Sequence, residues 1–393
     1  MVLHYDPIRG KISYVAASTN GLGPAQAGLR TALLGESGTR RSRELLIRRR
    51  AQREKAVTVA QDPPGHFLRL RKVKPRTRQL YEQSCAGFTS WARRQGLSLK
   101  ADRLDLTLAK YVEDLYKQGH GIFRARMAVY GVAFVHALPT RDPTTLYLAK
   151  QQSTGWDAHA PSTSRDPMPE ESMYLICDEL LRVENVTRVS AAAALAVQYD
   201  GFCRPSETLS VSPGAVTRCS HASKKVALTL FPQDSEGLGP RSKGNEYDDT
   251  VIFGDAVSAK CGRQWVADIL LELKKARKGR SKLLPITLRG YEQALSSVTA
   301  GLGLGGLKLT PHTARHGGPS TDYMMGNRSL EDIQRRGRWK TKSSVRRYEK
   351  SGKVLRQREK LGDALLRRAA RARATLPGKL KSAIKRCLTP ARP

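Results

Sequence analysis

Four residues near the end of the chain have the types and spacing for phosphoryl-transfer chemistry. His312 and Arg315 lie three positions apart, Trp339 follows twenty-four residues after Arg315, and Tyr348 nine after that. A cation pair at helical spacing presents both side chains on one face of a turn, where it can hold a phosphate. A phenol downstream can then attack it. Thr310-Pro311 directly before His312 reads as a helix start, with Thr as N-cap and Pro at the first helical position. His312 and Arg315 are thereby expected beside free backbone N–H groups and the positive end of a helix dipole. Ser329-x-x-Asp332 is a second capping signature, opening a short helix that Gly337 closes, with Trp339 just beyond. Tyr348 sits among Arg346, Arg347 and Lys350, cations that would stabilise a phenolate.

The rest of the chain must position these groups and supply a partner. Its 393 residues allow two domains and some tail, and 39% hydrophobic content supports a core that needs no staples. Lys and Arg number 69 against 35 Asp and Glu, a net charge of +34. Such an excess repels itself and is offset by a polyanion, so nucleic acid is the expected partner. Basic composition alone suits a ribosomal or membrane-surface protein equally, and selects a partner class without selecting an activity. Apolar stretches such as Ala191–Val197 fall far short of the roughly twenty residues of a membrane span. No basic n-region with an apolar core marks a secretory signal. An intracellular protein is expected: nuclear in a eukaryote, otherwise in the cytoplasm or nucleoid.

Six scattered cysteines without a C-x-x-C pair suit reduced thiols. Cys219 and His221 would make half of a metal site, but no second pair accompanies them. Gly301–Gly306 matches G-x-G-x-x-G, yet it follows a helical pattern and lacks a βαβ setting, so it reads as a connector.

The expected fold class is mainly α with a small antiparallel β-sheet, α+β. Residues 1–73 read as a basic, largely disordered N-terminal arm, with a possible basic helix over Arg40–Lys55. Residues 74–150 read as a helical unit, in which Thr77 caps a helix carrying Leu80, Tyr81, Phe88 and Trp91. Further helices are expected over Leu106–Lys117 and Phe123–Leu138, and the aromatics are expected as core. Ser, Thr, Gly and Pro over 151–169 predict a linker. A second domain is expected over 170–352, with helices at Glu171–Val183 and Val189–Phe202. Strands follow at Val226–Phe231 and Thr250–Phe253, then helices at Cys261–Lys274 and Tyr291–Ala300. Residues 353–393 read as a basic C-terminal helix or tail.

The order His312-x-x-Arg315-His316, then Gly337-Arg338-Trp339, then Tyr348 resembles the tyrosine recombinases, the phage-integrase superfamily. Gly201-Phe202-Cys203-Arg204-Pro205-Ser206-Glu207 is similar to that family's first box, an arginine with an acid three residues on. The resemblance covers about residues 74–350 and implies a helical core-binding domain followed by a tyrosine-recombinase-like catalytic domain. Its wording, RGRW and RRYEK, looks more like recombinases of eukaryotic mobile elements than like bacterial chromosome-resolving enzymes. The implied activity is site-specific DNA cleavage and rejoining through a 3′-phosphotyrosyl link. The alternatives are a type IB topoisomerase-like relaxase and a catalytically silent, domesticated DNA-binding protein.

The resemblance also implies the roles. Arg204 and Arg315 clamp the phosphate, Tyr348 attacks, His312 accepts its proton and Trp339 positions the phosphate. A lysine in a turn of the sheet protonates the leaving 5′ oxygen: Lys243 is the best-placed candidate, with Lys224 and Lys225 as alternatives. Trp339 stands where many members carry histidine, and offers an indole N–H donor without proton transfer. His316 is expected to buttress its helix, and Pro319 to kink it. No metal or other cofactor is implied. The implied partners are double-stranded DNA and three further copies in a tetramer on two duplexes, accessory DNA-bending factors being compatible. The segment Val354–Lys385 is expected to pack against a neighbouring protomer.

Overall fold

The computed structural model describes residues 2–6, 11–15, 73–139, 142–161, 165–220, 223–231, 249–349 and 351–389, the first two segments by their backbone alone. The chain divides into two units, Met1–Ser162 and Thr163–Pro393. Within the stretch expected to be largely disordered, β1 (Val2–Asp6) pairs antiparallel with β2 (Lys11–Val15), Val2 opposite Val15. A five-residue alternation is too short to show in a search for sustained helical period. Arg40–Lys55 lies outside the described residues.

In the first unit α1 (Pro75–Arg94) opens on Pro75, with Thr77 inside the first turn and not at the cap. It packs against α3 (Ile122–Val135), and at Gly131 a Cβ would stand 2.5 Å from the Tyr81 carbonyl oxygen, so only glycine allows this approach. α2 (Ala101–Lys117) adds Leu108, Tyr111, Val112 and Leu115 to a core shared with Phe88, Val129 and Val132. Only part of the aromatic set is core: Phe88 and Tyr111 are buried and half-buried Trp91 donates from Nε1 to Asp114 at 2.8 Å, whereas Tyr116, Phe123 and Tyr130 are exposed.

The expected linker, residues 151–169, is largely structured. α4 (Tyr147–His159) runs through its first half and seats Ala149 and Trp156, seven residues apart on one face, in the same core. Its cap comes from elsewhere: the Asp105 carboxylate accepts from the backbone N–H groups of Leu148 and Ala149 at 2.9 and 3.0 Å. No local signal reveals a cap delivered by another helix. At the other end, Met168 is buried in the second unit and its N–H donates to Thr313 O.

The second unit is built round α6 (Val186–Gly201), whose residues from Val189 onward are all buried. α5 (Glu170–Leu180) lies against it. After the short α7 (Pro205–Ser210) comes the sheet, β3 (Val216–Arg218), β4 (Val226–Leu230) and β5 (Asp249–Phe253), antiparallel in that order. Val216 faces Leu228 and Val226 faces Phe253 across it. Two strands fall where alternation predicts them, and the three-residue β3 was too short to read. Helices α8 (Ala256–Lys260), α9 (Trp265–Ala276), α10 (Leu288–Gly301), α11 (Pro311–Met324), α12 (Leu330–Gly337) and α13 (Lys342–Val345) follow. α14 (Ser351–Glu359) and α15 (Gly362–Leu388) complete the unit. The fold class is α+β, mainly helical with one small antiparallel sheet in this unit. No helix among the described residues is long and apolar enough to cross a membrane.

α15 is the helix that the basic C-terminal segment was expected to form as one of its two alternatives, and it belongs to the second unit. Its apolar stripe of Ala369, Ala372, Leu376, Leu380, Ala383, Ile384 and Leu388 is buried in its own unit, against α5, α6 and α9. Arg368, Lys379 and Arg386 meet Glu179, Asp178 and Glu184. The exposed pairs of Lys379 and Arg386 contribute little; the apolar stripe supplies most of the attachment.

Candidate active site

Arg204 owes its place to the end of α6. Phe202 adopts the left-handed conformation, φ 51°, and turns the chain so that Arg204 becomes the N-cap of α7. Glu207, one turn on and 2% exposed, accepts from the Arg204 backbone N–H at 2.6 Å and from its guanidinium. The same carboxylate accepts from Arg338 and lies 3.5 Å from Arg315. Burial alone would raise the Glu207 carboxyl, but Arg338 and Arg315 outweigh it and hold it below the usual range. The acid of the first box is thus the anion that gathers three arginines.

Arg315 lies on α11, which starts as its sequence predicts. Thr310 is the N-cap, its backbone N–H donating to Thr313 Oγ1 at 3.0 Å, and Pro311 is the first residue. The helix continues past Pro319, which lies inside it. Behind Arg315 are Gly317 and Gly318, where a Cβ would stand 2.2 Å from Met168 O and 2.1 Å from Tyr199 O. These two glycines let α11 close on α6, which brings Arg315 to the end of the helix that Arg204 follows. Its Nη1 donates to Phe202 O and its Nη2 to Gly337 O at 2.8 Å. Its guanidinium carbon lies 4.6 Å from the centre of the Trp339 ring. Burial, joined by Arg204 and Arg338, pushes the guanidinium down to about 10, so it remains a cation at neutral pH.

Trp339 forms the wall between Arg315 and Tyr348. α12 opens on Ser329, whose hydroxyl accepts from the Asp332 N–H, and ends at Gly337 with Arg338 in the left-handed conformation. The Trp339 and Tyr348 ring centres are 4.8 Å apart. Tyr348 sits on a single 3-10 turn, Arg346–Glu349, and is 1% exposed among Phe202, Ile333 and Val345. Its Oη is 3.2 Å from His316 Nδ1. Burial pushes the phenol up to about 12, though Arg315, Arg347 and Arg204 pull the other way. Burial also pushes His316 down to about 4, helped by Arg347, Arg315, Arg165 and His312. The pair is a neutral phenol facing a neutral imidazole.

The two histidines of α11 meet different surroundings. His316, expected as a buttress, touches the phenol. His312 instead lines a cavity of about 620 Å³ with Arg165, Asp166, Glu292, Lys308 and Lys360. It still feels Arg315 and Arg204, which, after burial and Arg165, lower its basicity. The structure therefore brings Arg204, Arg315, Trp339 and Tyr348 together and places His312 on the adjoining cavity. Glu207, Arg338 and His316 were not among the candidate site residues, although Glu207 stood in the Arg204–Glu207 spacing and His316 directly after Arg315. Lys243 lies outside the described residues, in the 231–248 connection between β4 and β5. Lys224 and Lys225 are exposed in the β3–β4 turn. No cluster of three or more His, Cys, Asp or Glu fit for a metal occurs among the described residues; His221 lies outside them.

No protein-family model matches the chain, and no curated protein matches it. Among solved structures it is similar to the XerH site-specific recombinase bound to a palindromic difH substrate in a post-cleavage complex. The identity is 13% and the TM-score 0.41, over 62% of this chain and 68% of that one. It is likewise similar to XerH bound to difH in a pre-cleavage complex, at 12% identity and a TM-score of 0.35, over 63% and 75%.

Proposed function

We propose that this protein cleaves and rejoins DNA strands as a site-specific recombinase of the tyrosine recombinase kind. The observation that supports the reading is the meeting of Arg315 and the Tyr348 phenol on the Trp339 ring, 4.6 and 4.8 Å from its centre, with Arg204 tied in through Glu207. Two arginines that converge on one anion have the geometry to grip the non-bridging oxygens of a phosphodiester. Tyr348 Oη then bonds to phosphorus as the bond to the 5′ oxygen breaks, and the leaving oxygen takes a proton, a role suited to Lys243. Bond energy is kept in the phosphotyrosyl link, so a second 5′-hydroxyl reverses the step without a nucleotide. Double-stranded DNA satisfies the +34 charge, and a tetramer would bring four such sites to two duplexes.

Proton removal from Tyr348 is the demanding step. With His316 at about 4 and the phenol at about 12, transfer in this arrangement costs on the order of 10 kcal/mol. Tyr348 has to turn out of its pocket toward the phosphate, where the arginines favour the phenolate. Covalent trapping tests the reading: nicked random-sequence duplexes are quenched in SDS with the unsubstituted protein and with Tyr348→Phe. An adduct confined to particular sequences and lost in Tyr348→Phe is expected. An adduct spread over all sequences would favour a relaxase, and tight binding without any adduct would refute the enzymatic reading.

A further inference from the structure

Arg336 has no part in the chemistry above, yet its side chain is 6% exposed and fully engaged. Nε donates to Asp200 O at 2.8 Å, Nη1 to Ile252 O at 2.7 Å and Nη2 to Asp200 Oδ2 at 3.1 Å. The rings of Phe202 and Phe253 flank the guanidinium, 5.5 and 5.4 Å from its carbon. One planar group thereby joins the end of α6, strand β5 and the last turn of α12.

Two of those segments run directly into the carbonyls that hold Arg315. Two residues after Asp200 comes Phe202, whose carbonyl accepts from Arg315 Nη1; directly after Arg336 comes Gly337, whose carbonyl accepts from Nη2. Arg336 therefore ties together the two segments whose carbonyls hold Arg315. Asp200, 0% exposed, is anchored from its other side by Arg263 Nε at 3.0 Å, and Arg263 also meets Asp322 and Glu170. Arg328 belongs to the same ionic network, through Asp322 and Asp255, but is bonded to neither carbonyl segment.

We propose that Arg336, acting through Asp200 and the Phe202 and Gly337 carbonyls, is the positioning residue for Arg315. This rests on the phosphoryl-transfer reading of the site. A lysine keeps the charge opposite Asp200 but is a point donor, and it cannot serve three acceptors arranged round a planar fork. Arg315 is then free to shift, and a displacement of about 1 Å at a catalytic group costs about a hundredfold in rate.

The test compares Arg336→Lys with Arg328→Lys in the full-length protein, on the duplexes that the unsubstituted protein traps. Adduct formation in a single turnover at saturating DNA, DNA affinity and melting temperature are measured for each. Arg336→Lys is expected to lower the rate about a hundredfold with affinity unchanged, while Arg328→Lys keeps the unsubstituted rate despite its own loss of stability. Should Arg336→Lys fold poorly, Arg336→Ala with methylguanidinium added below denaturing concentrations provides a second reading: restoration of the rate is expected. Full activity in Arg336→Lys, an equal fall in Arg328→Lys, or failure of the added cation to restore Arg336→Ala would each overturn the positioning role. Absence of any adduct from the unsubstituted protein is a different result, which removes the phosphoryl-transfer reading and this role with it.

Discussion

Gly337→Ala probes the wall between Arg315 and Tyr348 with a single methyl group. A Cβ at Gly337 would lie 1.6 Å from Trp339 Cζ3 and 2.2 and 2.3 Å from Cε3 and Cη2, far inside contact distance. The ring cannot swing aside freely, because the Arg315 guanidinium and the Tyr348 ring lie against it. Alanine is worth up to about 1 kcal/mol over glycine in a helix, whereas overpacking of this kind costs about 1–3 kcal/mol. With contacts this short the cost falls toward the upper end of that range, so a net loss of about 2 kcal/mol is expected, at some 2–4 °C in melting temperature per kcal/mol for a unit of this size. The three clashing atoms belong to the six-membered ring of the indole, which histidine lacks. Trp339→His in the Gly337→Ala background should therefore recover stability, with a coupling of about 0.5–3 kcal/mol in a double-mutant cycle. Urea denaturation of the four proteins measures it. An additive cycle, or a Gly337→Ala protein as stable as its parent, would refute the reasoning that Gly337 is held to glycine by the Trp339 ring.

The same geometry gives three further outcomes. His316 is depressed from 6.5 to about 4, so the unfolded chain binds more protons in that interval and stability falls as pH drops through it. His316→Asn should remove about 3 kcal/mol of that acid dependence, read as the change in urea midpoint between pH 6.5 and 4; identical slopes would count against the buried neutral imidazole. Truncation after Leu361 deletes α15 and bares the core beneath Leu376, Leu380 and Ile384; loss of cooperative unfolding is expected, and an unchanged urea midpoint would contradict the packing. DNA affinity should fall steeply and linearly on a log–log plot against salt, with a slope of about −0.9 per phosphate neutralised; a slope near zero would remove DNA as the polyanion.

How much was legible in the sequence depends on range. The N-cap at Thr310, the short helix from Ser329 and the strands about Leu228 and Val251 were readable because capping and alternation are local codes. The spacing from His312 to Tyr348 indicated a phosphoryl-transfer site for the same reason: its residues lie on one short stretch of chain. α4 was misread as linker because its cap, Asp105, is more than forty residues away. The helix of α15 was readable as one of two alternatives, but not its place in the second unit, because an amphipathic pattern names a face to bury and not the surface that buries it.

The sequence by itself determined which groups are at hand: a phenol, paired arginines and a net charge of +34. Only the tertiary structure decided how those groups meet. Whether His312 or His316 faces Tyr348 is a matter of one helical turn, and it depends on where the 346–349 turn packs against α11. That one acid, Glu207, gathers Arg204, Arg315 and Arg338 is a consequence of the close approach of α6 and α11, made possible by Gly317 and Gly318. That Arg336 spans three segments cannot be read from any one of them. Contacts between distant stretches of chain depend on the shape of the packed unit, and no local pattern encodes that shape.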